Sequence, residues 1–233
     1  MSRVDLFNGV TIRDEESGSS YHSYDDWGLY ITNTDCIGAP EQYTKYIEVP
    51  GRDGLVDLSE TISGRQVYTK REIKIQLAGA KDKTTWSAAV SNIRNKINGR
   101  LCQITFDDDP SFYWRGRIQV KDFSSVLNLG KLTLHIPNAD PYKYSATVTT
   151  IGPTEISGSG SMTVSKGNMP TCPDIIVSDK ASTTFTVSFM GVTYGLTNGT
   201  NRIPSIMVGG KDNTTLSFNG TATVQIDYRS GSL

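Results

Sequence analysis

Between Val67 and Leu77 the chain alternates without a break. Val67, Thr69, Arg71, Ile73, Ile75 and Leu77 fall on one side; Tyr68, Lys70, Glu72, Lys74 and Gln76 fall on the other. A period of two with one apolar set predicts a strand with one buried face. Gln42–Val49 alternates in the same way. Between the two lie Pro50-Gly51 and Asp53-Gly54, which are turn pairs, because Pro presets φ and Gly accepts a positive φ. Leu55–Ser63 is an amphipathic connector. Two strands joined by a long polar stretch predict an arm that extends beyond its own core.

Only one segment has helical spacing. Trp86, Ala89, Val90, Ile93 and Ile97 form one stripe, which predicts a helix over 82–98. Asp82 or Thr84 supplies an N-cap, Gly99 a left-handed C-cap, and Lys96 suits the last turn. Arg94, Asn95 and Lys96 mark its wet side. Strands are predicted at Val10–Arg13, Leu101–Phe106, Phe112–Lys121 and Leu127–Ile136. Trp27, Leu29 and Ile31 point inward from another short strand.

Pro137-Asn138-Ala139-Asp140-Pro141 is a breaker cluster, and it places a domain boundary near 140–146. The expected division is 1–144 and 145–233. Beyond it, short alternating runs are separated by turn pairs such as Asn198-Gly199, Gly209-Gly210 and Asn219-Gly220. Strands are expected at Ala146–Ile151, Ser161–Val164, Asp174–Ser178, Thr183–Phe189, Gly191–Leu196, Arg202–Val208, Thr214–Phe218 and Thr223–Tyr228. That spacing predicts a β-sandwich or jelly roll. The fold class is therefore mainly β: an N-terminal β domain with one α-helix and an extended arm, then a sandwich.

Composition agrees, with abundant Thr, Ser, Gly and Asn. The 23 Lys and Arg against 24 Asp and Glu give no basic field, so direct nucleic-acid binding is not expected. No signal-like or membrane-spanning apolar run occurs, and a cytoplasmic site of synthesis is expected. Cys36, Cys102 and Cys172 are widely spaced and odd in number, so free thiols are expected.

Candidate chemistry is sparse. Asp25 and Asp26 lack a base or a second cluster to form a catalytic pair. Asp107-Asp108-Asp109-Pro110 lacks the alternate oxygens, Gly and distant Glu of a calcium loop, and reads as an acidic hairpin turn. His22 and His135 sit in no metal-like spacing. No phosphate loop, nucleophile elbow or zinc-protease helix appears. No catalytic residue, metal ligand or cofactor is expected.

One stretch carries a family resemblance. Ile47-Glu48-Val49-Pro50-Gly51-Arg52-Asp53-Gly54-Leu55-Val56-Asp57-Leu58-Ser59-Glu60, followed by Gly64 and Tyr68–Ile73, resembles the distal tail protein (Dit) family of long-tailed bacteriophages. Asp140-Pro141-Tyr142, Gly167–Pro173 and Gly199–Ile203 are also similar to that family, so the resemblance spans nearly the whole chain. It implies a structural virion component without chemistry, made in the bacterial cytoplasm and resident in the tail. It implies a hexameric ring joining the tail tube protein to a tail-associated hub or fibre, with receptor-binding proteins or host glycan as further partners. The resemblance also implies that the C-terminal sandwich is galectin-like and that the sandwiches lie outside the ring.

The arm is then the candidate interface. Arg52, Asp53, Leu55, Asp57, Leu58 and Ile62 are the expected oligomer contacts, with the apolar members docking on the next subunit. Asp53 or Asp57 would pair there with an Arg. The alternative fold for this stretch is a loop lying back on its own sheet. The alternative function is a carbohydrate-binding module recognising cell-wall glycan. Against it, Tyr194 and Tyr228 are the only Tyr past the boundary, and no Trp lies there. A glycan hydrolase would need two carboxylates in a cleft, and Asp174, Asp179, Asp212 and Asp227 sit by turns or strand ends.

Overall fold

The computed structural model describes residues 9–61, 63–80, 83–126 and 129–233. They form two compact units, 1–143 and 144–233.

In the first unit β1 (Val10–Asp14), β2 (Ser20–His22), β3 (Tyr30–Ile31), β4 (Glu41–Gln42), β5 (Tyr46–Glu48), β6 (Leu55–Asp57) and β7 (Tyr68–Ala80) precede α1 (Lys83–Ile97). β8 (Leu101–Phe106), β9 (Phe112–Arg117), β10 (Gln119–Val126) and β11 (Leu129–Ala139) follow. One sheet runs β2-β1-β8-β9, and another runs β10-β11-β7-β3. All pairings are antiparallel.

β7 explains why this sheet has a buried face. Ile73, Ile75 and Leu77 are fully buried, and β11 sets Leu132, Leu134 and Ile136 beside them in register. From the first sheet come Val10, Ile12, Cys102 and Ile104, and from α1 come Trp86, Val90, Ile93 and Ile97. Each fully buried Ile or Leu contributes about 1.5–3 kcal/mol, so this shared core outweighs any local preference. Helix α1 lies close because Gly130 on β11 has no Cβ: one built there would come within 2.4 Å of the Trp86 ring.

Several expectations need correcting. Thr69 shares the parity of Ile73 but is exposed, because that end of β7 extends past the core. The predicted strand Phe112–Lys121 is two strands. The chain breaks at the buried Ile118 and passes from the first sheet to the second. The long strand starts at Leu129 among the described residues and runs on to Ala139. The wet side of α1 is not bare: the Arg94 guanidinium lies 4.3 Å from the Phe123 ring centre and Lys96 Nζ 4.6 Å from that of Tyr21. The proposed N-cap residue Asp82 lies outside the described residues. Gly99, with φ +78°, ends the helix and donates to the Ile118 carbonyl at 2.7 Å.

The second unit opens with β12 (Lys143–Ser145), which starts at the boundary. It continues with β13 (Thr149–Ile156), β14 (Ser159–Val164), β15 (Asp174–Ser178), β16 (Thr186–Phe189), β17 (Val192–Gly195), β18 (Gly199–Arg202), β19 (Thr214–Asn219), β20 (Ala222–Tyr228) and β21 (Gly231–Ser232). Sheets β13-β20-β15-β18 and β14-β19-β16-β17 form the sandwich. Ile175, Val177, Val224 and Ile226 of one and Met162, Val187, Leu216 and Phe218 of the other share its core. The expected strand Ala146–Ile151 begins and ends later. Arg202–Val208 is not a strand: pairing with β15 ends at Arg202, and Pro204 has no N–H to continue it. Ile206 and Val208 still reach the core, and Val208 forms a single bridge to Thr171.

Candidate subunit interface: the arm

The arm leaves the second sheet where β4 pairs with β7, Glu41 opposite Lys70 and Gln42 opposite Tyr68. It is not one long hairpin between β4 and β7. β5 and β6 pair with each other in a separate two-stranded sheet, Tyr46 with Asp57, Ile47 with Val56 and Glu48 with Leu55. The expected strand Gln42–Val49 is thus two short strands in different sheets, and the connector Leu55–Ser63 begins as a strand. The Val49 carbonyl accepts from Arg52 N at 3.1 Å, and Gly51 has φ +80°. With Pro50 before it, that is a type II turn, which requires Gly at this place.

Cross-strand partners share a face. Tyr46, Glu48, Leu55 and Asp57 therefore form one side of the hairpin, and Ile47 and Val56 the other. Neither side lies on a core. Leu55 is 62% exposed, Tyr46 53% and Ile47 40%, and no residue from 41 to 58 belongs to the buried cluster. Cross-strand pairs contribute about 0.2–1 kcal/mol each, while ordering a residue's backbone costs about 1–2 kcal/mol. The three registered pairs therefore leave the hairpin marginal by itself.

Its foot is anchored by polar contacts. Leu58 N donates to the Lys45 carbonyl at 2.8 Å, and Lys45 N donates to Ser59 Oγ at 2.9 Å. Ser59, buried, donates through both its amide and its hydroxyl to Asp57 Oδ1. These bonds hold the Asp57 carboxyl below its ordinary value. Tyr43 N donates to the Val67 carbonyl at 2.8 Å, and the Gln66 amide donates to the Tyr43 carbonyl at 3.1 Å.

Of the sequence-derived contact residues, Arg52, Asp53 and Leu55 are exposed on the hairpin or its turn, and Leu58 is half-buried at the foot. Asp57 is exposed but engaged by Ser59. Ile62 lies outside the described residues. Tyr43, Tyr46, Ile47 and Val49 are equally exposed and were not anticipated. Pairing β5 with β6 on paper would have placed Tyr46 beside Leu55.

The other sequence candidates resolve into local structure. Asp26 accepts from His22 N at 2.6 Å, and Asp25 lies 3.2 Å from His22 Nδ1, all within one turn. In the β8–β9 turn Asp107 accepts from Gly9 N at 2.9 Å, and Asp109 pairs with Lys143 Nζ at 2.6 Å. His135 bonds Glu72 at 2.8 Å. Asp14, 1% exposed, is held down to about 2 by the Ser17 hydroxyl and the Arg100 guanidinium. Among the described residues no His, Cys, Asp or Glu group could hold a metal.

Two β units, with an arm and one helix in the first, are an arrangement that solved structures share. One such structure is the crystal structure of SPP1 Dit (gp 19.1), described as a paradigm of the hub adsorption apparatus in phages infecting Gram-positive bacteria. It has a TM-score of 0.65 and 18% identity, and it covers 94% of this chain and 98% of that one. At that identity the likeness is one of fold. No protein-family model and no curated protein matches the sequence.

Proposed function

We propose that this protein is a structural component of a phage virion, a distal tail protein whose copies form a hexameric ring. The ring joins the tail tube protein to the hub or fibre of the tail tip. The supporting observation is the fold likeness to SPP1 Dit along almost the full length of both chains. The arm adds a physical reason for assembly, since Tyr43, Tyr46, Ile47, Val49 and Leu55 are exposed in their own chain. In a ring the contact is head-to-tail, so one arm per copy repeats a single interface until the circle closes. Receptor-binding proteins or host glycan are further partners under this reading, and the role involves no catalysis.

Native mass spectrometry of the intact chain tests it. A discrete multimer is expected. Leu58 N already donates to the Lys45 carbonyl at 2.8 Å, the kind of bond that closes a tight turn, so residues 46–57 can be replaced by Asn-Gly. That variant should fold and stay monomeric. A shortened chain that still assembled would remove the arm from the interface. A wild-type monomer at every concentration, with tight binding to cell-wall glycan, would replace the ring by the carbohydrate-binding module.

A further inference from the structure

His22 ends β2 and pairs with Thr11 of β1, which carries no charge. Its imidazole is held between two carboxylates. Nε2 lies 3.3 Å from Asp107 Oδ1 and 3.2 Å from Asp107 Oδ2, in the turn after β8. Nδ1 lies 3.2 Å from Asp25 Oδ2, in the turn after β2. Nδ1 also stands 3.2 Å from the backbone nitrogen of Asp25. Asp26 is a third acid of this turn, and its carboxylate accepts the backbone N–H of His22 at 2.6 Å.

The two contacts at Nδ1 exclude each other. A backbone N–H bonds only to a lone pair, and a carboxylate accepts only from an N–H, while one ring nitrogen presents either a lone pair or a proton. Among the described residues Nε2 bonds only carboxylate oxygens, so it keeps its proton in both charge states. The state of Nδ1 then selects the partner. In the neutral imidazole Nδ1 takes the Asp25 N–H. In the imidazolium it donates to the Asp25 carboxylate instead. Histidine is the side chain that ordinarily changes charge between about pH 5 and 8.

The same imidazole closes the entrance to β1. Asp107 Oδ2 also accepts from Gly9 N at 2.9 Å. A Cβ at Gly9 would come within 2.5 Å of Asp107 Oδ2 and 2.6 Å of His22 Nε2, so the backbone there runs directly against the pair. The next residue is held from the same side, since Val10 N donates to the buried Ser23 Oγ at 3.0 Å. The side chains of His22 and Asp107 are 24% and 27% exposed, so the imidazole exchanges protons with water while the pair stays partly shielded. We propose that His22 is a proton-operated latch on the start of the first sheet. Its charge selects between the amide and the carboxylate of Asp25, and the imidazolium draws β2 and the β8–β9 turn together around Gly9. The latch lies within the first unit and does not depend on assembly.

Nitrogen NMR and amide exchange of the full chain between about pH 5 and 8 test it. At the alkaline end the spectrum should show the lone pair on Nδ1 and the proton on Nε2. As the imidazole gains its second proton, the Asp25 amide signal should move with the same midpoint. Exchange corrected for its intrinsic pH dependence should quicken at Asp25 and slow by about 2- to 5-fold at Gly9, the size of a partly exposed ion pair. His22→Gln should abolish both exchange responses, and Asp107→Asn only the one at Gly9. A neutral imidazole protonated on Nδ1, or an Asp25 amide that ignores the titration, would overturn the latch from the wild-type protein alone, whether or not the variants fold. Equal exchange at Gly9 at both ends of the range would overturn the tie to Asp107.

Discussion

The buried Ser59 hydroxyl accepts the backbone N–H of Lys45 at 2.9 Å and so ties the two ends of the arm together. Fourteen positions apart in sequence, these residues decide whether the hairpin stands out as a unit or frays. Ser59→Ala leaves the Lys45 amide unpaired at a cost of about 1 kcal/mol. Amide exchange of Tyr46–Asp57 should speed up while the amides of β7 keep their protection. Equal acceleration in both would mean that the arm's foot is part of the global fold.

Packing of α1 on β11 depends on a missing atom. Gly130→Ala forces a methyl against the Trp86 ring, and overpacking of this kind costs about 1–3 kcal/mol. Chemical denaturation should show a lower midpoint with a shifted Trp emission. An unchanged midpoint would show that the helix slides aside freely.

Asp14 gives the first unit an acid limit. Its carboxyl is lowered from 3.8 to about 2, chiefly by the Ser17 hydroxyl and then by Arg100. A depressed folded value means that the contribution is complete above 3.8 and is lost as the pH falls towards 2. Thermal melts followed across that range should fall for the wild type. Asp14→Asn should be less stable at neutral pH and should lose less on acidification. Parallel curves for the two proteins would assign the acid sensitivity elsewhere.

The three thiols should differ in reactivity. Cys102 is fully buried and pushed up to about 12, first by desolvation. Cys36 is also raised, chiefly by burial. Cys172 is half-buried, with Sγ 3.2 Å from the Ile203 carbonyl. Because the thiolate is the nucleophile, alkylation of the native protein followed by mass spectrometry should mark Cys172 first and Cys102 last. Rapid labelling of Cys102 would contradict its burial.

Where one face of an element is buried, its pattern can be read from sequence. Ile73, Ile75 and Leu77 declare β7, Leu101–Phe106 is recovered to the residue, and the stripe from Trp86 to Ile97 declares α1. The arm obeys no such constraint. With both faces of β5 and β6 in solvent, no core imposes alternation, and the pairing of Tyr46 with Asp57 comes from a turn and a local hydrogen bond instead. Ile118 misleads for the opposite reason. It is apolar and in phase, so the chain's passage from one sheet to the other there leaves no mark in the pattern.

β7 serves two masters along its thirteen residues. Its first residues hold β4 and the root of the arm, while Arg71 to Ala80 lie in ladder with β11. Antiparallel hydrogen bonds run across the strands. A pull on the arm along the axis of β7 therefore meets the whole ladder side by side and cannot open it rung by rung. The strand makes the arm a tie rod, fastened to the core in its mechanically strongest direction.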